Sequence, residues 1–286
     1  MEDFEDFILP EEAWGHDPLL PLKEEAPKHE PDGQVYPCGI YKFDRALEGG
    51  FREEDLVLIS AQSSHGKTTM AQTLTLNYAK KSIPSLWLSY EMSPYYLQWK
   101  FDRMGSKDAQ ILVPVAKKGK TLPSSIKDIT YFIEKASEIH GCKTIFIDHL
   151  DRLISRESTR ERNRWDEQAF LVADLKKLAI EQKVIIFLLH QMRKIQHGTV
   201  LDQSAIKGSQ NVVSECDFVI LMERKRADQK KGLSAMQEKL ESREKYSNIT
   251  EVWIEKNRPF GKTPSVDMTI KDDKFVETKN YERDKI

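Results

Sequence analysis

The chain has 286 residues, of which 39% are hydrophobic and 31% charged, and its formal net charge is −2. This composition is typical of a globular protein and excludes a chain that is disordered throughout. Because the net charge is close to zero, any binding to nucleic acid must come from local basic patches. No apolar run approaches the roughly 18–20 residues that a membrane span needs.

The three cysteines, Cys38, Cys142 and Cys216, are odd in number and widely separated. They lack the spacing of a zinc site and are interpreted as reduced thiols. The acidic N-terminus is unlike a secretory or mitochondrial presequence. Together these features predict a cytoplasmic or other reducing compartment, with no membrane partner.

Residues 1–35 are predicted to form an acidic tail that prolines interrupt. Up to Glu30 this segment contains ten Asp or Glu residues and two Lys residues. Such a composition buries too little apolar surface to fold and is typical of a disordered segment. The large apolar residues Phe4, Phe7 and Trp14 also fit a docking peptide, so both interpretations stay open.

From residue 36 to residue 286 the pattern predicts one α/β domain. Short apolar runs predict strands at DLVLISA, PSLWLSYE, CKTIFIDHL, VIIFLLHQ, CDFVILMER, EVWIEKNR and PSVDMTI. Segments with helical spacing lie between them: TMAQTLTLNYAKK, SPYYLQWKFDRMG, KDITYFIEKASEIHG and WDEQAFLVADLKKLAIEQK. Apolar strands that alternate with helices predict a mostly parallel central sheet flanked by helices.

The stretch AQSSHGKTT joins the first of these strands to the helix that follows it. It matches the phosphate-loop pattern G-x-x-x-x-G-K-[ST], except that Ala61 takes the first place. In such a loop, backbone N–H groups and a lysine bind the phosphates of ATP, and a hydroxyl ligates Mg²⁺. The predicted nucleotide-binding residues are Ser63, Ser64, His65, Gly66, Lys67, Thr68 and Thr69, of which Thr68 is also a predicted Mg²⁺ ligand.

Polar residues at the ends of other strands complete a predicted ATPase site. Asp148 ends the run TIFID, where a carboxylate can hold nucleotide-bound Mg²⁺, and Glu91 follows LWLSY, where it can polarise the attacking water. Ligands of open α/β sheets bind at the carboxyl ends of the strands, where these residues meet. At a further strand end, His190 or Gln191 is expected to sense the γ-phosphate, and the sequence leaves open which.

These motifs, in this order, resemble the hexameric replicative helicases of the DnaB type, including their phage and Twinkle-like branch. The resemblance covers most of residues 38–270. It is carried by GIYKFDRALEGGFREEDLVLISAQSSHGKT, LWLSYEMS, IFIDHL, LLHQMRK, AIKGSQNVVSECDFVILMER and IEKNRPFG. It implies a RecA-like P-loop ATPase fold and catalytic roles for Lys67, Glu91 and Gln191.

The resemblance also implies that ATP binds between subunits of a hexameric ring, with Lys256 and Arg258 of one subunit reaching the ATP of the next. A fixed guanidinium would stabilise the charge that grows on the transferred phosphoryl group. Loops after two of the strands would contact single-stranded DNA, and the residues expected there are Arg152, Arg156, Arg160, Arg193, Lys194 and Lys207. Separately from the resemblance, the tail 1–35 is expected to dock a replication protein, and the expected compartment is one that contains DNA, such as a virus-infected host cell.

The favoured function is therefore an ATP-dependent DNA helicase or translocase of the replicative type. Two alternatives stay open. One is a RecA-like ATPase that binds single-stranded DNA in recombination or repair without unwinding. The other is a nucleotide-switched protein that binds a replication partner through residues 1–35.

Overall fold

The computed structural model describes residues 34–106, 109–114, 125–150, 164–193, 201–206, 209–225 and 247–278, apart from the side chains of 164–167, 209 and 210. The predicted tail, 1–35, lies outside these residues except for its last two positions. Its disorder, its docking role and the domain boundary at residue 36 therefore stay predictions.

Strands and helices alternate along the described residues as the sequence predicts. The strands are β1 (Val35–Tyr36), β2 (Phe51–Arg52), β3 (Leu56–Ala61), β4 (Ser85–Ser89), β5 (Ile111–Leu112), β6 (Thr144–Asp148), β7 (Ile185–Gln191), β8 (Phe218–Arg224), β9 (Ile249–Asn257), β10 (Ser265–Lys271) and β11 (Lys274–Glu277). The helices are α1 (Tyr41–Ala46), α2 (Lys67–Ala79), α3 (Pro94–Arg103), α4 (Ile126–His140), α5 (Arg164–Gln182) and α6 (Ser209–Glu215). Among the described residues, no helix combines the length and apolarity that crossing a bilayer requires.

The main sheet has the strand order β11-β10-β9-β8-β3-β7-β6-β4-β5. Neighbouring strands from β8 to β5 are parallel, whereas β8, β9, β10 and β11 pair antiparallel. All six residues of the central strand β3 are buried, because helices cover both faces of the sheet. The predicted mostly parallel sheet with flanking helices is therefore confirmed, and antiparallel strands extend it at one edge.

Two apolar layers hold the helices against the two faces of the sheet. On the face that α2 covers, the ring of Phe146 stacks on Phe187 with centroids 4.8 Å apart and on Trp87 at 5.2 Å. Met70 and Leu74 of α2 belong to the same layer, while α4 and α5 pack on the opposite face. This packing fixes α2 beside β3, so that its first turn lies at the carboxyl ends of the parallel strands.

Local sequence signals set the ends of the helices. The side chain of Ser93 caps α3, whose first residue is Pro94. Ser125 and Asp128 form a reciprocal capping box at the start of α4, and Gly141, with φ of 63°, ends that helix. These residues supply acceptors for the unpaired N–H groups of the first turn or adopt the left-handed conformation that stops a helix. The observed start of α3 and end of α4 agree with the predicted helical segments SPYYLQWKFDRMG, which begins at Ser93, and KDITYFIEKASEIHG, which ends at Gly141.

The strand β11 was not predicted from the sequence. Asp272 and Asp273, with φ of 51° and 58°, make the tight turn that joins it to β10. Asp tolerates this left-handed conformation better than most residues, so the pair DD was a usable hairpin signal. The strand packs on α2, where the backbone N–H of Phe275 donates to Thr73 Oγ1 at 3.1 Å. It thereby brings an aromatic ring to the helix that follows the phosphate loop.

A carboxyl group is held away from water just before the central strand. Asp55 Oδ2 accepts a hydrogen bond from the backbone N–H of Arg52 at 2.7 Å. Burial, together with the negative charge of Asp217, raises the pKa of Asp55 to about 7, against the opposing hydrogen bond from Arg52. The folded protein therefore retains a proton here that the unfolded chain releases near pH 4.

We expect this proton to make stability fall as pH rises. Between about pH 4 and pH 7 the folded state binds more protons than the unfolded state, so the free energy of unfolding decreases by up to about 1.4 kcal/mol per pH unit. Urea unfolding of wild type and Asp55→Asn at several pH values measures the difference. Relative to Asp55→Asn, the free energy of unfolding of the wild type should be higher at pH 4 than at pH 7. An exposed control, Asp102→Asn, should parallel wild type, and a pH-independent gap for Asp55→Asn would contradict the expectation.

Candidate nucleotide-binding site

The phosphate loop lies between β3 and α2, as the sequence predicts. Ser63 and Ser64 are exposed, and Ser64 and Gly66 adopt left-handed φ values of 66° and 93°. A Cβ atom at Gly66 would lie 2.8 Å from the ring of Phe275. The position therefore needs glycine for both its backbone angles and its space, although the pattern GKT alone explains only the first.

His65 connects the loop to the end of β8. Its side chain is buried, and the backbone N–H of Arg224 donates to His65 Nδ1 at 3.2 Å. Burial lowers the pKa of His65, and the positive charges of Lys67 and Arg224 lower it further. The neutral imidazole accepts this hydrogen bond and so ties the loop to the end of β8, while the predicted contact of His65 with nucleotide stays a prediction.

Lys67 places its ammonium group across the mouth of the loop. Lys67 Nζ donates to the carbonyl oxygens of Ala61 at 3.1 Å and Gln62 at 3.4 Å. Thr69 follows in the first turn of α2, where backbone N–H groups lack partners within the helix. Cation, N–H groups and helix N-terminus are thus close together, and this combination suits a polyphosphate.

Thr68 and Asp148 meet as the predicted Mg²⁺ ligands. Thr68 Oγ1 donates to Asp148 Oδ2 at 2.9 Å, which joins α2 to the end of β6. Burial, together with the negative charge of Glu91, raises the pKa of Asp148 to about 6, while the hydrogen bond from Thr68 opposes the shift. A hydroxyl and a buried carboxylate are the oxygen donors that Mg²⁺ prefers, and a cation would relieve this electrostatic cost.

Glu91 lies beside these residues and contacts a histidine that the sequence analysis did not single out. The register pairs Ser89 with Asp148, so β4 and β6 end at the same level. Glu91 Oε1 lies 2.9 Å from Nδ1 of the buried His149, and donor atoms of Glu91, Asp148 and His149 all lie within 4.8 Å of one another. The adjacency of His149 to Asp148 was the available signal. The Glu91 carboxylate therefore lies against a buried imidazole at the carboxyl ends of β4 and β6.

The structure separates the two candidates for the γ-phosphate sensor. In the register of β3 with β7, Ala61 pairs with Gln191 and Ser60 with His190. Side chains alternate along a strand, so Gln191 lies on the same face as Phe187 and the α2 layer. His190 lies on the opposite face and is buried there, whereas Gln191 is partly exposed. Gln191 is thus the one beside the start of the phosphate loop.

Lys256 and Arg258 lie at the amino ends of the parallel strands, opposite the end that carries the phosphate loop. The N–H of Arg258 donates to Asp217 O at 3.0 Å, and the N–H of Asp217 donates to Leu56 O at 2.9 Å. Leu56 begins β3, whereas the phosphate loop follows the end of that strand. Six residues of strand span about 20 Å. The fold therefore does not bring these two cations to Lys67 of the same chain.

Most of the predicted DNA contacts lie outside the described residues, namely Arg152, Arg156, Arg160, Lys194 and Lys207. Arg193 is described and exposed. Its backbone N–H donates to Ala205 O at 2.8 Å, directly after β7. Arg193 consequently lies at the same edge of the sheet as the phosphate loop.

Two family profiles match the chain, each over more than half its length. The profile of the DnaB-like helicase C-terminal domain matches residues 120–277, and an AAA domain profile matches residues 40–197. Together they cover the phosphate loop, Glu91 and Asp148 as well as Lys256 and Arg258.

Curated relatives share about a quarter of the aligned residues. The replicative DNA helicase DnaB of Treponema pallidum (strain Nichols) is 24% identical over 209 residues, which are 63% of this chain and 46% of that protein. The replicative DNA helicase DnaB of Geobacillus stearothermophilus is 26% identical over 194 residues, which are 58% of this chain and 42% of that protein. The chain thus spans less than half the length of these relatives.

The fold is similar to that of solved ATPases. A solved ATPase domain superposes with a TM-score of 0.69 at 19% identity, covering 90% of this chain and 96% of that one. A DnaB-like replicative helicase, solved in a study of its interactions with primase, superposes with a TM-score of 0.68 at 20% identity, covering 89% of this chain and 64% of that one. At this level of identity the likeness concerns the fold, which agrees with the predicted P-loop ATPase architecture.

We expect Gly66→Ala to destabilise the protein more than Gly105→Ala does. Both glycines have positive φ, but a Cβ at Gly105 meets no atom within 4 Å, whereas one at Gly66 meets Phe275. The backbone cost alone is about 1 kcal/mol, and Gly66→Ala should lose at least about 1 kcal/mol beyond it in urea unfolding. Binding of a fluorescent ATP analogue should weaken only in Gly66→Ala. An equal decrease in the free energy of unfolding of the two variants would show that the Phe275 ring moves aside at no energetic cost.

Proposed function

Since the chain belongs to the family of DnaB-like helicase C-terminal domains, we propose that it is an ATP-dependent DNA helicase or translocase of the replicative type. It hydrolyses ATP at interfaces between subunits and moves along single-stranded DNA. The observation that carries this proposal is the meeting of Lys67, Thr68, Asp148 and Glu91 at one edge of the sheet.

The residues of this edge fit ATP and Mg²⁺. The backbone of residues 63–66 and the ammonium of Lys67 would hold the phosphates, since Gly66 leaves no Cβ to obstruct the loop. Thr68 and Asp148 would hold Mg²⁺, which when bound neutralises charge on the transferred phosphoryl group. Binding of ATP and Mg²⁺ therefore needs no residue beyond those already close together.

Two further side chains would act on the reacting groups. Glu91 would orient the attacking water and accept its proton, because it lies beside Asp148 while 37% of its side chain stays exposed. Gln191 would contact the γ-phosphate, because it shares the α2 face and lies level with Ala61. His190 is on the opposite face and is not assigned this role.

Lys256 and Arg258 would act on the ATP of a neighbouring subunit. A distance of about 20 Å along β3 separates them from the phosphate loop of their own chain. In a closed ring this end of the strands would lie against the next subunit's site, and a hexamer is the state that the family resemblance implies. The assembled site would then include a guanidinium that the neighbouring subunit supplies.

Single-stranded DNA is the proposed track. Arg193 lies exposed at the edge of the sheet that carries the site, and Arg152, Arg156, Arg160, Lys194 and Lys207 are assigned to the same contact from the sequence. Such contacts read the phosphate backbone and weaken as salt increases. Residues 1–35 are proposed to dock a replication protein.

We expect both Lys67→Ala and Arg258→Ala to abolish DNA-stimulated ATP hydrolysis, and a mixture of the two to recover part of it. A phosphate-binding lysine is needed to hold ATP, and an arginine supplied in trans contributes about 10³–10⁵-fold to turnover. In the mixture, subunits with intact Lys67 meet subunits with intact Arg258. Phosphate release with and without single-stranded DNA measures this, and the exposed controls Lys135→Ala and Arg103→Ala should behave as wild type.

Each part of the proposal has an outcome that contradicts it. Absence of recovery in the mixture would place Arg258 outside the catalytic machinery or in its own chain's site. Hydrolysis that DNA does not stimulate would exclude a motor. Stimulated hydrolysis without strand displacement on a forked DNA would favour the RecA-like binding function.

A further inference from the structure

Lys256 and Arg258 are both held at the corner where α6 meets β8. Lys256 Nζ donates to the carbonyl oxygens of Val213 at 2.7 Å and Ser214 at 3.1 Å, in the last turn of α6. Arg258 Nη2 donates to the same Ser214 carbonyl, and the Arg258 N–H donates to Asp217 O. We call the Arg258 side chain, which would reach the neighbouring subunit's ATP, the finger. We call Val213, Ser214 and Asp217 the finger seat, because together they hold both cations.

The two carboxylate oxygens of Asp217 have different partners. Oδ1 accepts from Arg258 Nη1 at 3.3 Å. Oδ2 accepts from the backbone N–H of Leu56 at 2.9 Å and from Lys176 Nζ at 2.8 Å. Asp217 is only 6% exposed, so water competes little for these bonds. One oxygen fixes the residue to β3 and α5, and the other holds the guanidinium.

The finger seat keeps two like charges side by side. Burial lowers the pKa of Lys256, and the positive charge of Arg258 lowers it further. Half of the Arg258 side chain is exposed, and within the finger seat Asp217 supplies the charged acceptor while Val213 and Ser214 supply carbonyl dipoles. Without the carboxylate, Arg258 would gain rotamers and move away from Lys256.

We propose that Asp217 is a positioning residue that fixes the Arg258 guanidinium for the transition state in the neighbouring subunit's site. The inference rests on the trans role of Arg258 under Proposed function. A donor stabilises developing phosphoryl charge most when its geometry is set before the reaction. Because Asp217 also binds the N–H of Leu56, the finger is tied to the strand that carries the phosphate loop of its own subunit.

Asp217→Asn tests the role with little change of shape. Two donors, the Leu56 N–H and Lys176 Nζ, point at the position of Asp217 Oδ2. That position requires an acceptor, so the amide oxygen of the asparagine should take it. The amide NH₂ then replaces Oδ1 and presents a donor to Arg258 Nη1. The substitution should therefore disturb the finger while the anchor to β3 persists.

We expect Asp217→Asn to lower kcat about 10- to 100-fold, the range of one lost charge-assisted hydrogen bond, with KM for ATP changed less than about twofold. Mixing experiments then identify which half of the interface has failed. A mixture with Lys67→Ala should recover activity, because Asp217→Asn subunits keep an intact phosphate loop. A mixture with Arg258→Ala should not, because both variants lack a working finger. Asp267→Asn, which alters a carboxylate paired with Lys225 in the same sheet, should keep wild-type turnover.

Three results would overturn the inference. Turnover of Asp217→Asn within about twofold of wild type would show that Arg258 needs no carboxylate. Recovery with Arg258→Ala but not with Lys67→Ala would show that the defect lies in the phosphate loop. Failure of the reference mixture, Lys67→Ala with Arg258→Ala, would instead remove the trans role itself, and the positioning role with it.

A second variant covers the case in which Asp217→Asn does not fold. Asp217→Glu keeps the charge but displaces the carboxylate by one methylene. It should lower kcat with KM for ATP unchanged and should also recover activity only with Lys67→Ala. Wild-type kcat in a folded Asp217→Glu protein would overturn the inference.

Discussion

The buried central strand β3 is the constraint on which the rest of the structure depends. Its two edges are hydrogen-bonded to β7 and β8, and its two faces are covered by helices. The strand β3 cannot shift its register by one residue without exposing apolar side chains and breaking backbone hydrogen bonds. The phosphate loop at one end and the Asp217 contact at the other are therefore held at a fixed separation, which divides the proposed catalytic groups between subunits.

Charge is concentrated at the carboxyl edge at an energetic cost. Asp148 is buried beside Glu91, and both effects raise its pKa. A site selected for stability alone would not place two carboxylates and an imidazole together in this way. A divalent cation would balance the negative charge of the two carboxylates, and phosphates would balance the positive charge of Lys67. The arrangement therefore fits a ligand better than it fits the isolated chain.

Much of this site could be predicted because each residue follows a strand end. Asp148 and Glu91 terminate or follow short apolar runs, and the pattern GKT marks the loop. The choice between His190 and Gln191 needed the sheet, because adjacent residues of a strand face opposite sides and only the position of α2 says which side matters. His149 was overlooked although it follows Asp148 directly, because its partner Glu91 lies on another strand.

The sequence by itself determined the alternation of strands and helices, the phosphate loop, the start of α3 and the end of α4, because periodicity and capping act within a few residues. Only the tertiary structure decided that Phe275 lies against Gly66 and that Asp217 holds Arg258. These pairs are brought together by the order of strands in the sheet, which local patterns do not encode. The same strand order placed Lys256 and Arg258 at the amino ends of the parallel strands, opposite the phosphate loop. The reason is that β9 runs antiparallel to β8 and so ends beside the start of β3.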